Sequence, residues 1–300
     1  MKEQELKIEN VNSFNLTHIF ECGQCFRWNK NKDMSYTGIV GKNVINISKI
    51  NNDIYVKSFG EDDLETLFNT YFDMNTDYEK IKNKLRKIDR FMEESIKYGD
   101  GIRLLNQDLW ETIISFIISA NNNIPRIKGI IERICKRYGN KIVWNGIEYY
   151  SFPTPEQLEK ATIQDLRILG LGFRDVRVYE TTKMVINGEI DFDKLHKEKD
   201  TQIIRDELLK LPGVGPKVGD CILLFSTLKR LDVFPIDVWV RRVMNELYIH
   251  NEDENKVNKK LVLKIANEKF GNLCGIAQQY LFYWKRGWNK INLFKNISHM

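Results

Sequence analysis

LLKLPGVGPKVGDCILLFSTLKRLDVFPIDVWVRRV, residues 208–243, is the stretch on which the reading of the fold turns. One amphipathic helix is expected to end at Leu211, followed by a tight Pro-Gly-Val-Gly-Pro turn and a second helix from near Pro216. Gly213 and Gly215 reach backbone conformations closed to other residues, so the chain can press against a partner. Their amides, with the new helix N-terminus, can face a phosphate. The element is a helix-hairpin-helix, and Val218 lies just inside its second helix. It suits a grip on one nucleic-acid backbone without sequence readout. A Gly-x-Gly alone would suggest an ordinary inter-helix turn. The full Leu-Pro-Gly-Val-Gly-Pro-Lys between amphipathic helices is far more specific. Lys217 falls in the first turn of the second helix, where the helix dipole penalises a cation. That field should lower its pKa, and burial would lower it further. Such an amine is a nucleophile that can form a Schiff base with a sugar aldehyde carbon. The plainer role is a surface lysine on a phosphate. Asp237 follows 237 − 217 = 20 residues on, just after Pro235 and Ile236. It is a good helix N-cap. Looking into a cleft, it can also stabilise a developing oxocarbenium charge and take part in proton transfer.

Helical spacing continues upstream. DLWETIISFIISA, IPRIKGIIERICKRYG, IQDLRILGLG, FRDVRVYETTKMVING and TQIIRDELLKL all carry apolar residues at helical intervals. Thr154 and Pro155 mark a helix start. Short connections between such helices imply a compact helical domain, and no strand is expected from about Leu104 onward. Residues before it differ. Tyr36–Val40, Val44–Ile47 and Ile54–Val56 alternate in character and are separated by Gly, Asn and Asp, the pattern of antiparallel hairpins. Glu61, Asp62 and Asp63 then open a helix, and a further helix is expected from Tyr78 to about Lys97. The expected organisation is an α+β N-terminal domain with a small antiparallel sheet, residues 1–103, followed by an all-α domain, residues 104–300.

The 300 residues carry 46 Lys plus Arg against 41 Asp plus Glu, a net charge of +5 that permits nucleic-acid binding without demanding it. Hydrophobic residues at 42% and charged residues at 29% exclude disorder as a class. No apolar run approaches the roughly 18 residues of a membrane span. The polar start MKEQELKIENVNSF has no signal-peptide core. Five cysteines without framework spacing point to a reducing cytosol. The richness in Ile, Lys and Asn is a usage associated with AT-rich bacterial genomes.

The 208–243 stretch closely resembles the helix-hairpin-helix DNA glycosylases. Lysine after the hairpin with a later Pro-x-Asp is similar to the bifunctional members, which cleave the N-glycosidic bond and then the DNA backbone. Further motifs resemble the 8-oxoguanine DNA glycosylases in particular. Gly23-Gln-Cys-Phe-Arg-Trp28 is similar to their N-terminal motif, and Ser119-Ala-Asn-Asn-Asn-Ile-Pro-Arg126 to the loop that fills the space of the extruded base. Leu169-Gly-Leu-Gly-Phe-Arg174 is similar to their wedge turn, and Ala277-Gln-Gln-Tyr-Leu-Phe282 to the helix closing their base pocket. The resemblance spans most of the chain.

It implies duplex DNA containing 8-oxoguanine as the partner, a monomeric enzyme, and a bacterial cytoplasmic, nucleoid-associated location. Lys217 would be the nucleophile and Asp237 the charge stabiliser. Such enzymes take the base out of the stack to reach the sugar. Asn121 would fill the hole, Phe173 would wedge beside the orphaned base, and Arg126 and Arg174 would address cytosine. Gly213, Gly215 and Val218 would meet the DNA backbone. In the base pocket, Phe282 would stack on the lesion and Gln278 would bond its pairing edge, with Cys221 and Pro235 beside them. The Gly23 carbonyl would accept from the N7–H that oxidation creates and repel normal guanine. One such hydrogen bond is worth roughly 1–3 kcal/mol. Bland roles compete: turn geometry for Asn121, a core aromatic for Phe173, solvated charge for the arginines, a small buried hydrophobe for Cys221.

Trp239 stands where well-known members carry histidine; its indole N–H could keep the phosphate contact. Phe173 replaces a common tyrosine, and Pro125 beside the asparagine loop is unusual. Cys22-Gly-Gln-Cys25 lacks the βαβ context of a redox motif. The remaining cysteines, 135, 221 and 274, and the histidines, 18, 196, 250 and 299, form no metal spacing. No four-cysteine run for an iron–sulfur cluster is present near the C-terminus. No cofactor is required; the resemblance suggests a structural cation on the carbonyls near Leu209, Leu211 and Val214. The competing functions are a glycosylase for other damaged purines on the same fold and a non-catalytic DNA-binding module.

Overall fold

The computed structural model describes residues 1–253 and 256–297, with side chains to residue 287. His299 lies outside the described residues. The first body forms because β-branched residues alternate along short strands. β1 (Lys2–Ile8), β2 (Trp28–Lys30), β3 (Tyr36–Val40), β4 (Asn43–Ile50) and β5 (Asp53–Gly60) make one antiparallel sheet in the order β1-β5-β4-β3-β2. Trp28 lies opposite Gly38, and a Cβ there would sit 2.4 Å from the indole. The missing side chain lets the ring lie flat, where it stacks on Phe20 at 4.1 Å and donates to Tyr71. Phe20 ends α1 (Leu16–Phe20), so this packing anchors the 21–27 loop at both ends. α2 (Leu64–Tyr71), capped by Asp63, closes the sheet core with Phe68 and Tyr71.

The single helix expected from Tyr78 is two helices, α3 (Tyr78–Arg86) and α4 (Arg90–Tyr98). Asp89 breaks the run because its carboxylate caps the amides of Phe91 and Met92 at 3.0 and 2.9 Å. Leu85, Met92 and Ile96 pack into the larger helical core. That core is built by α5 (Leu109–Ser119), α6 (Ile124–Tyr138), α7 (Pro155–Leu158), α8 (Ile163–Ile168), α9 (Asp175–Ile186), α10 (Phe192–Lys197), α11 (Thr201–Leu208), α12 (Pro216–Phe225), α13 (Val238–Met244), α14 (Lys259–Phe270) and α15 (Cys274–Ile297). The expectation of no strand after Leu104 is corrected by a two-stranded hairpin, β6 (Lys141–Trp144) and β7 (Ile147–Tyr150). Its turn is Asn145-Gly146, both at positive φ, 51° and 74°. No helix among the described residues is long and apolar enough to cross a membrane. The five cysteines are free and buried.

Candidate active site and nucleic-acid interface

α11 ends in the sequence-predicted turn. Gly213 takes φ +88, and Val214 N–H closes on the Leu211 carbonyl at 3.0 Å. Gly215 caps α12 and a Cβ there would meet open space, so the hairpin's outer side is free for a partner. Pro216 opens α12 and Lys217 follows it, turned inward with its Nζ 5.4 Å from the centre of the Phe116 ring. A pocket of about 50 Å³ is lined by Lys217, Cys221, Pro235, Asp237, Gly23, Gln278 and Phe282, with Phe116 and Gln279 among its other walls. It shares Lys217, Asp237, Gly23 and Phe282 with a cleft of about 660 Å³ that also reaches Asn121, Val218 and Trp239. Both residues proposed for chemistry and all five proposed for the base therefore meet in one place. Asp237 caps α13, accepting from the Val240 amide at 2.7 Å, which fixes its carboxylate at the cleft wall. Gln278 is buried, and its Oε1 has no hydrogen-bond partner. A buried acceptor left unpaired is costly, and a bound donor would relieve it.

The expected depression of the Lys217 pKa does not hold. The Cys221 sulfur beside it raises the pKa above the ordinary lysine value, burial opposes this, and Asp237 adds to the rise. Burial pushes the Cys221 thiol up in turn, against the pull of Lys217. Cys221 and Asp237 share the pocket with the amine, and its proton affinity follows them rather than the helix dipole alone.

Gly23 takes φ +93 in a loop pinned on both sides. Gln279 donates to the Cys22 carbonyl at 2.8 Å. Gln24 is buried: its amide donates to the carbonyls of Ile19 and Arg103 at 2.9 and 2.8 Å and accepts from the Leu105 amide at 2.9 Å. The Gly23 carbonyl takes no hydrogen bond from the described residues. Gln24 of the N-terminal motif is thus a structural pin, and the glycine beside it faces the pocket.

Asn121 is exposed at the cleft mouth in left-handed backbone, φ +50, a conformation asparagine tolerates. Pro125 sits in the first turn of α6, where its missing N–H costs nothing, which accounts for its place beside the loop. Arg126 is exposed and reaches the Gly170 carbonyl at 3.5 Å. Phe173 is 54% exposed, with the guanidinium carbons of Arg174 and Arg177 at 4.2 and 5.1 Å from its ring centre. Arg174 itself is only 1% exposed and donates to the carbonyls of Ala120, Asn121 and Leu171. It ties the asparagine loop to the wedge turn and does not present its fork to solvent. The Trp239 indole N–H is enclosed without a partner, so the phosphate contact expected through it is not open in this arrangement.

Two arginines escaped the sequence reading. Arg177 packs its stem where a Gly213 Cβ would be, 2.8 Å away, and so joins hairpin to wedge. Arg286 lies against Gly23 and Phe282. Its spacing of four from Phe282 on a helix was the available signal. Among the described residues, no group of three or more His, Cys, Asp or Glu side chains is gathered to hold a metal ion.

Comparison with known proteins agrees with this geometry. Residues 6–113 match the family described as the 8-oxoguanine DNA glycosylase N-terminal domain, and residues 114–267 match the HhH-GPD superfamily of base excision DNA repair proteins. The chain is 31% identical over 239 residues to a probable N-glycosylase/DNA lyase of Methanothermobacter thermautotrophicus, covering 73% of this chain and 72% of that protein. It is 34% identical over 212 residues to an N-glycosylase/DNA lyase of Saccharomyces cerevisiae; the match covers 61% of this chain and little more than half, 56%, of the yeast protein. The crystal structure of Clostridium acetobutylicum 8-oxoguanine glycosylase/lyase with duplex DNA containing cytosine opposite 8-oxoguanine superposes with a TM-score of 0.89 at 38% identity, over 96% of this chain and 98% of that one. The chain belongs to the 8-oxoguanine glycosylase/lyase family of the HhH-GPD superfamily.

Proposed function

We propose that this protein excises 8-oxoguanine from duplex DNA and then cleaves the strand at the resulting site. The observation that carries the reading is the meeting of Lys217 and Asp237 with an unpaired buried acceptor, Gln278 Oε1, in one pocket. Guanine's pairing edge offers the N–H donors that this acceptor lacks. The Gly23 carbonyl would take the N7–H of the oxidised base, with Phe282 and Cys221 as walls.

In the reaction, the unprotonated Lys217 amine attacks C1′ of the extruded nucleotide. The C1′–N9 bond breaks and the base leaves with the bonding pair, taking up a proton. The Asp237 carboxylate stabilises the cationic sugar. Ring opening gives an imine between Lys217 and C1′. Loss of a C2′ proton then expels the 3′ phosphate by β-elimination. Asn121, exposed at the mouth, would enter the vacated stack, with Phe173 as the wedge. Arg126, exposed and held only by a long bond to the Gly170 carbonyl, would meet the O2 and N3 acceptors of an orphaned cytosine; Arg174 is tied to three carbonyls and reaches it only by releasing one. The Gly213–Val218 hairpin would hold the backbone, and the carbonyls near Leu209, Leu211 and Val214 would hold a structural cation. The free, buried cysteines support a reducing cytoplasm as the compartment. We propose a monomer, because Lys217, Asp237 and the five base-pocket residues already complete one pocket within a single chain.

The test is an excision panel on duplexes carrying 8-oxoguanine opposite each of the four bases, with borohydride present. A bifunctional enzyme releases free base and leaves a trapped covalent complex. Base release without an adduct would make the enzyme monofunctional. Absence of both would make the chain a binding module.

A further inference from the structure

We infer that Arg286 is a positioning residue for base recognition: its guanidinium locks the Gly23 loop to the Phe282 helix, so that recognition carbonyl and stacking ring keep one spacing. The inference rests on the reading of this pocket as a purine site.

Arg286 follows Phe282 by one turn of α15, so both project from one face. Its Nη2 donates to the carbonyl of Glu21, two residues before Gly23. Its guanidinium carbon lies 5.4 Å from the centre of the Phe282 ring. Its Nη1 stands 3.4 Å from where a Gly23 Cβ would be, and Phe282 stands 3.6 Å from the same point. Three pocket elements thus touch at one point. Gln279 and Gln24 hold the loop from the interior, whereas Arg286 holds it from the side of the mouth.

The arginine is also a wall. A second cavity of about 610 Å³ lies beyond it, lined by Trp28, Lys30, Tyr36 and Lys128 among others, and shares Gly23, Ile124 and Arg286 with the cleft. Removing the side chain would join the two spaces beside Gly23. In that second cavity Lys128 is bonded to the Trp28 carbonyl and Tyr36 to Glu21. Its importance here is the gap it leaves behind Arg286. A planar fork that both stacks and donates suits this place; lysine can donate but cannot stack in the same way.

The experiment compares Arg286→Ala and Arg286→Lys with the wild type at saturating enzyme, on duplexes carrying 8-oxoguanine, guanine or an abasic site opposite cytosine. Abasic cleavage uses the amine with no base in the pocket. The alanine variant should lose 8-oxoguanine excision by about tenfold more than it loses abasic cleavage, and its preference over guanine should narrow. The lysine variant should fall between alanine and wild type. Equal losses on both substrates would make Arg286 a phosphate or folding residue and overturn the inference, as would no loss on either. Thermal melts accompany the rates; should the alanine variant fail to fold, the lysine variant carries the same comparison. A wild type that cleaves abasic DNA but leaves 8-oxoguanine intact would instead overturn the reading of the pocket.

Discussion

Lys217 and Cys221 form a pair that titrates together, one helical turn apart on α12. Once the sulfur ionises, its charge holds the remaining proton on the amine. The sequence was enough to locate the lysine, because the Leu-Pro-Gly-Val-Gly-Pro-Lys pattern has few other uses. It could not give the sign of the pKa shift, which depends on which groups face the amine. Replacing Cys221 with Ala removes the largest raising influence and leaves burial, which lowers the pKa, against Asp237, which raises it. Where the sulfur is ionised, the Lys217 pKa should therefore fall, and the alkaline part of the acid limb of the single-turnover excision profile should move to lower pH. A profile from pH 5 to 10 in the two proteins checks this; an unmoved limb would remove the pair from the account.

At the hairpin, local geometry would serve the proposed grip on the DNA backbone. Gly213 needs its positive φ, and a Cβ would strike the Arg177 stem at 2.8 Å. Gly213→Ala should cost about 1–3 kcal/mol of stability. It should also weaken binding to undamaged duplex, since the grip is on the backbone and not on the lesion. Melting curves and fluorescence anisotropy measure the two effects; an unchanged affinity in a folded variant would deny the hairpin its role. Other elements were less legible. β6 and β7 lie inside a long helical tract, and the Asn145-Gly146 turn was the signal that should have marked them. β1 was obscured because Lys2–Ile8 is mostly charged and sits at the sheet edge, where only alternate residues are half-buried. Arg174 shows the converse limit: its motif was evident, yet only packing reveals that carbonyls occupy its fork.

The sheet body and the helical body meet on a partly buried ion cluster as well as on apolar surface. Arg27, from the loop that carries Gly23, is buried and donates to the Tyr150 carbonyl of β7. Its nitrogens lie 4.0 Å from Glu111 on α5 and 3.7 Å from Glu132 on α6. Burial pushes the Glu111 carboxyl up to about 7, with Arg27 opposing and Asp108 and Glu132 adding. A carboxyl whose folded pKa exceeds its unfolded one binds extra protons in the fold. Its contribution is then fully present below the unfolded pKa and is lost as pH rises through the folded one. Denaturant stability should accordingly decline between about pH 4.5 and pH 7, and Glu111→Gln should flatten that slope. Parallel slopes in the two proteins would mean that Glu111 is ionised throughout.

On the proposed mechanism the fold brings one amine, that of Lys217, to an extruded sugar, so the most direct measurement is the site of the covalent bond. Wild-type protein and Lys217→Gln are incubated with 8-oxoguanine duplex and borohydride, and the trapped complex is digested and mapped by mass spectrometry. The account predicts an adduct on Lys217 alone, and a variant that still binds the duplex while giving neither free base nor adduct. An adduct on another residue, or excision retained by the variant, would contradict it.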